Sequence, residues 1–143
     1  MNKSYIIKGV CALLLGALVM GLPSCRNTEA VVPTDAQTVS ETARIYPDYR
    51  DVTIPPNIAP LNVQVKSPGD AFVGCIEGAG QQVVAAADKD GVLQFDSLEW
   101  KQLLTQAKGK DLNVTLYAER DGKWVKFPSY KMMVAQEPID RYL

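Results

Sequence analysis

Leu112-Asn113-Val114-Thr115-Leu116-Tyr117-Ala118-Glu119-Arg120-Asp121-Gly122-Lys123-Trp124-Val125-Lys126-Phe127 reads as two strands joined at a tight turn. Asp-Gly suits the two-residue type I′ loop because both central residues of that loop need positive φ. Such a loop pairs Arg120 with Lys123, Glu119 with Trp124, Ala118 with Val125, Tyr117 with Lys126 and Leu116 with Phe127. Side chains alternate across a strand, so Leu116, Ala118, Val125 and Phe127 share one face. Thr115, Tyr117, Glu119, Trp124 and Lys126 take the other. A slip of one residue would turn Trp124 inward and expose Val125 and Phe127, so the apolar pattern itself selects this pairing.

On the N-terminal side of the hairpin, Leu61, Val63 and Val65 alternate with polar residues, and Ser67-Pro68-Gly69-Asp70 is a turn. Residues 71–76 form a more buried strand, broken by Gly78-Ala79-Gly80. Residues 82–86 and 92–95 flank Asp88-Lys89-Asp90-Gly91, a four-residue hairpin connection. Asp88 and Asp90 have the beginning of a calcium-loop spacing, but the remaining EF-hand ligand positions are missing, so no metal is expected. Asp96 is placed to cap a helix with Glu99 at the capping-box position. Trp100, Leu103, Leu104 and Ala107 then fall on one face of that helix, and Gly109 ends it. With a last strand over 131–136, residues 61–137 are expected to form a mainly β fold. The architecture implied is a small immunoglobulin- or fibronectin-like β-sandwich with one short crossover helix.

The start of the chain sets an address. Lys3 and Lys8 precede an apolar run over 9–21, too short to cross a bilayer, which takes roughly 20 apolar residues. The run ends in Leu22-Pro23-Ser24-Cys25, which resembles a bacterial lipobox. Residues 1–24 therefore read as a lipoprotein signal peptide. The resemblance implies acylation of Cys25, which becomes the new N-terminus and anchors the protein to the membrane through lipid. Arg26 follows in place of the Asp that marks inner-membrane retention, so outer-membrane anchoring, at the periplasmic face, is expected. Residues 25–44 are mixed and polar and read as a flexible tether. Pro47, Pro55, Pro56 and Pro60 make residues 45–60 extended, and Tyr46, Tyr49, Ile54 and Ile58 are apolar enough to pack this segment on the domain.

Ile45-Tyr46-Pro47-Asp48-Tyr49, Asp51-Val52-Thr53-Ile54-Pro55 and Asn57-Ile58-Ala59-Pro60-Leu61-Asn62 resemble the opening of a group of Bacteroidetes lipoproteins with a TolB-like (PD40) β-propeller. Pro138-Ile139-Asp140-Arg141-Tyr142-Leu143 is similar to the junction at which those proteins leave their N-terminal module. The resemblance implies an accessory module without the propeller. Residues 138–143 are then either a truncation point or the tail of a free-standing module.

Composition narrows the chemistry. The chain of 143 residues has net charge -1 and no His, and loss of the signal peptide leaves 13 basic against 16 acidic side chains. A mildly acidic chain without a basic run is not a nucleic-acid binder. Without His, the commonest general base and the usual imidazole ligands are missing. Cys75, in an apolar strand and without a cationic neighbour in sequence, reads as an inert buried thiol. Asp48, Asp51, Asp88, Asp90 and Asp140 sit in turns or loops, where Asp serves the backbone. No enzyme, cofactor or metal is therefore expected. The candidate interaction surface is Tyr117, Trp124 and Lys126, two aromatics and a cation on an outer sheet face, open to a partner or covered by residues 46–60. If it is open, truncating Trp124 costs within about 1 kcal/mol, against roughly 3–5 for core Phe127. The leading function is an interaction module at the outer membrane. The alternative is a carbohydrate-binding sandwich that stacks sugars on Tyr117 and Trp124, with Tyr130 as a third aromatic.

Overall fold

In a computed structural model, residues 29–140 are described; the signal segment, Cys25 and residues 141–143 lie outside them. The strands are β1 (Gln37–Thr38), β2 (Ile45–Tyr46), β3 (Thr53–Ile54), β4 (Val63–Val65), β5 (Ala71–Gly78), β6 (Gln81–Ala86), β7 (Val92–Leu93), β8 (Asp111–Arg120), β9 (Lys123–Lys126) and β10 (Tyr130–Val134). One helix, α1 (Ser97–Gln106), links β7 to β8. The described residues form a small β-sandwich of two sheets with a single short helix, as the strand pattern implies.

β8 organises the larger sheet. It pairs antiparallel with β5 along one edge, and on the other with β10 through its first half and β9 through its second. β6 extends the sheet beyond β5, while the short β1 and β3 add parallel to β9 and β10. The smaller sheet is β2, β4 and β7, all antiparallel. The hairpin pairs as its sequence implies, from Arg120 with Lys123 to Tyr117 with Lys126. Asp121 and Gly122 have φ of 52° and 73°, the left-handed values the two-residue loop demands.

The core lies between the sheets. From β8 it takes Leu112, Val114, Leu116 and Ala118; from the smaller sheet it takes Ile45, Val63, Val65 and Leu93. Gly74 on β5 lets the sheets approach, since a Cβ there would stand 2.7 Å from Leu93 Cδ1. Helix α1 begins where Asp96 Oδ1 accepts from the amides of Leu98 and Glu99, at 2.9 and 3.0 Å. It turns Trp100, Leu103 and Leu104 into the core. The Trp100 indole donates to the Ile58 carbonyl at 3.0 Å and its ring stacks on Phe95, centroids 6.2 Å apart. The helix thus ties the Pro-rich segment to the sandwich.

Residues 45–60 are part of the fold. Ile45 and Ile54 are buried, and Tyr49, Val52 and Ile58 pack against the core, although Tyr46 is 68% exposed. The Tyr46–Pro47 bond is cis, and Asp48 Oδ1 accepts from the Arg50 amide at 3.1 Å. Arg50 holds this lead in place through Asp48 at 2.8 Å, the Ala43 carbonyl and the face of the Tyr130 ring.

The expected tether over 25–44 is corrected for its described part, residues 29–44. Val32 and Ala36 pack on the outer face of the larger sheet, β1 lies within 37–38, and Ala43 is buried in the core. The Val39 amide donates to the Lys126 carbonyl at 3.0 Å and Arg44 N to Ser67 Oγ at 2.8 Å. The physical reason is that the larger sheet has apolar side chains on both faces, and the outer set, Val73, Cys75 and Tyr117, needs cover. The tail is also held at its start: the Asn57 side-chain amide donates to the Ile139 carbonyl and accepts from its N–H, at 2.9 and 3.1 Å. No helix among the described residues is long and apolar enough to cross a membrane.

Candidate functional site

The outer sheet face is built by alternation. Val73 and Cys75 of β5, Val84 of β6, Tyr117 of β8 and Trp124 of β9 form one cluster there, separate from the main core. Because Glu119 pairs with Trp124 and Tyr117 with Lys126, Tyr117 and Trp124 are diagonal neighbours. The hairpin does bring the two aromatics and Lys126 together.

It does not leave them open. Tyr117 is only 6% exposed, and Trp124 and Lys126 are half-buried. The expected stacking platform is therefore corrected: its cover comes from Val32 and Ala36, and not from residues 46–60. The covering segment continues into β1, with Gln37 opposite Val125 and Thr38 opposite Lys126. Beyond it, Arg120 joins Glu41 in an ion pair, donates to the Pro68 carbonyl at 2.9 Å and lies 5.3 Å from the Phe127 ring centre. Tyr130 belongs elsewhere, since it pairs with Val114 and packs against the main core beneath Arg50.

The electrostatics match a covered face. Burial pushes the Cys75 thiol up to about 11; the Glu77 carboxylate adds to this, while a Gln82 hydrogen bond and Lys126 oppose it. A thiol so raised is not a nucleophile near neutral pH. Burial also raises the Tyr117 phenol, with Cys75 and Glu77 adding. Tyr130 is pushed up to about 12, again mainly by burial, against the pull of Arg50.

The loop carboxylates are engaged locally. Asp88 Oδ1 accepts from the Asp90 and Val92 amides at 2.9 and 3.0 Å, which holds its carboxyl below the usual range. Asp90 pairs with Lys89 at 2.8 Å. Among the described residues, no group of three or more His, Cys, Asp or Glu could hold a metal ion.

The sequence did not show an open groove of about 640 Å³ between residues 56–60 and the flank of α1 that carries Ser97, Lys101 and Thr105, with Lys108 in the turn after the helix. Ser97, Lys101 and Thr105, four residues apart along one helix, signal a shared flank, but the opposite wall comes from a segment whose path is not periodic. Compared with protein-family models, characterised proteins and solved structures, the chain matches none.

The cover predicts an ordering of mutant stabilities. Tyr117→Ala should cost about 3 kcal/mol and half-buried Trp124→Ala roughly 1–3 kcal/mol, both more than an open surface residue would. Urea unfolding midpoints measure this. A Tyr117→Ala loss within about 0.5 kcal/mol would mean that the face is open.

Proposed function

We propose that the chain is a lipid-anchored, non-catalytic interaction module held at the periplasmic face of the outer membrane through Cys25. The observation that carries this reading is Leu22-Pro23-Ser24-Cys25, directly behind a basic start and an apolar run. Several acyl chains on one residue hold firmly where a single chain is marginal. Packing of Val32 and Ala36 on the sheet supports the reading by setting a folded body a few residues beyond the anchor. The resemblance to the N-terminal module of TolB-like (PD40) propeller lipoproteins supports a role in positioning a partner. Carboxylates bound to their own turns, and a thiol raised by burial, suit a protein that binds without transforming. The carbohydrate-binding alternative needs Tyr117 and Trp124 open, and Val32 and Ala36 occupy that face.

Cys25→Ala tests the anchor. The wild-type protein is expected in the outer-membrane fraction, with the mass of its N-terminal peptide increased by lipid, and the variant in the soluble fraction. Soluble wild-type protein with an unmodified Cys25 overturns the proposal.

A further inference from the structure

The docked start of the chain fixes which side of the domain meets the membrane. Only Arg26, Asn27 and Thr28 separate Cys25 from Glu29. Even fully extended, the four steps from Cys25 to Glu29 span at most roughly 14 Å, and the six to Val31 roughly 21 Å. Val32 is already packed on the outer sheet face, so the domain has no long leash on which to turn away.

Beyond that leash two aliphatic side chains, Val31 and Leu98, are exposed. Val31 is 72% exposed and borders a recess that it shares with Gln82 and Val84 of β6 and Glu99 of α1. Leu98, the residue before Glu99, is 64% exposed on the first turn of α1, on the side of the helix opposite Trp100 and Leu104. Glu29 and Glu99 line the recess beside Val31, so charge does not draw it to anionic lipid. Apolar contact does, and the bilayer interface accepts exposed aliphatic side chains at shallow depth.

We propose that Val31 and Leu98 are the contact by which the domain rests on the leaflet that holds the Cys25 lipid. This rests on the reading of Cys25 as the anchor, and it adds an orientation: β6 and the start of α1 face the membrane, while β10 and β3 face away.

The test uses the full lipidated protein in phosphatidylcholine vesicles that contain nitroxide-labelled acyl chains. Leu98→Cys, Val31→Cys and, as control, Met133→Cys each carry a fluorophore; Met133 is also exposed but lies on β10, beyond β5 and β8 from β6. Cys75, buried and raised, stays unlabelled near neutral pH. Expected is several-fold stronger quenching at positions 31 and 98 than at 133, unchanged by salt. In protein labelled only at Gln102→Cys on α1, Leu98→Asp combined with Val31→Asp should weaken quenching while leaving the thermal midpoint in place. Equal quenching at all three positions, in protein that floats with the vesicles and carries lipid by mass, overturns the orientation and leaves the anchor standing. Protein without lipid on Cys25 overturns both.

Discussion

Removal of residues 26–60 from the mature chain is expected to abolish cooperative unfolding. The deletion takes β1, β2 and β3, and with them the buried side chains of Ala43, Ile45 and Ile54. Ile45 and Ile54 each contribute about 1.5–3 kcal/mol and the Ala43 methyl about 0.8 kcal/mol, and the edges of β4, β9 and β10 would be left unpaired. The smaller sheet would be reduced to β4 and β7, three residues and two. Trp100 would also lose the Ile58 carbonyl as its acceptor. Together these losses approach the whole stability of a domain this size, about 5–15 kcal/mol. Circular dichroism on heating is the measurement. A sharp transition at the wild-type midpoint would show that residues 61–137 stand alone, contrary to this expectation.

Trp100→Ala is expected to be the most damaging single substitution, at about 4–5 kcal/mol. The ring is 1% exposed, stacks on Phe95 and reaches across to the Pro-rich lead through its N–H. Its loss leaves a cavity and also an unpaired Ile58 carbonyl. Trp100→Phe restores most of the apolar volume but not the donor, so a loss of roughly 1–3 kcal/mol is expected there. Guanidinium unfolding of both variants separates the two contributions. A loss below about 2 kcal/mol for Trp100→Ala would mean that the lead is held by other contacts.

What could be read in advance was local. The Asp121-Gly122 hairpin is specified by its turn and its alternation, and α1 by a cap at Asp96 and the spacing of Trp100, Leu103, Leu104 and Ala107; both formed where expected. The covering segment could not be read that way. β1, β2 and β3 are two residues each, too short to show a period, and their partners lie far along the chain. Val31, Val32 and Val39 stand among polar residues, so the stretch resembles a linker until Val73, Cys75, Val84 and Tyr117 are seen to require a roof. The candidate site failed for the same reason. The register placed Tyr117 and Trp124 side by side correctly, but exposure depends on what else the chain lays over them, and alternation within a hairpin carries no information about that.

The covering segment also has a mechanical side. A pull on the chain from its N-terminal side is taken first by the side chains of Val32 and Ala36, then by the short pairing of β1 with β9, and next by Glu41 on Arg120. These contacts load one after another, like a zip opened from its end, while β5, β8 and the core between the sheets carry no strain. Peeled back to Glu41, the segment would pay out roughly 40 Å of slack before tension reached β2. The sandwich is thus sprung at its N-terminal end: force applied there lengthens the attachment before it deforms the body.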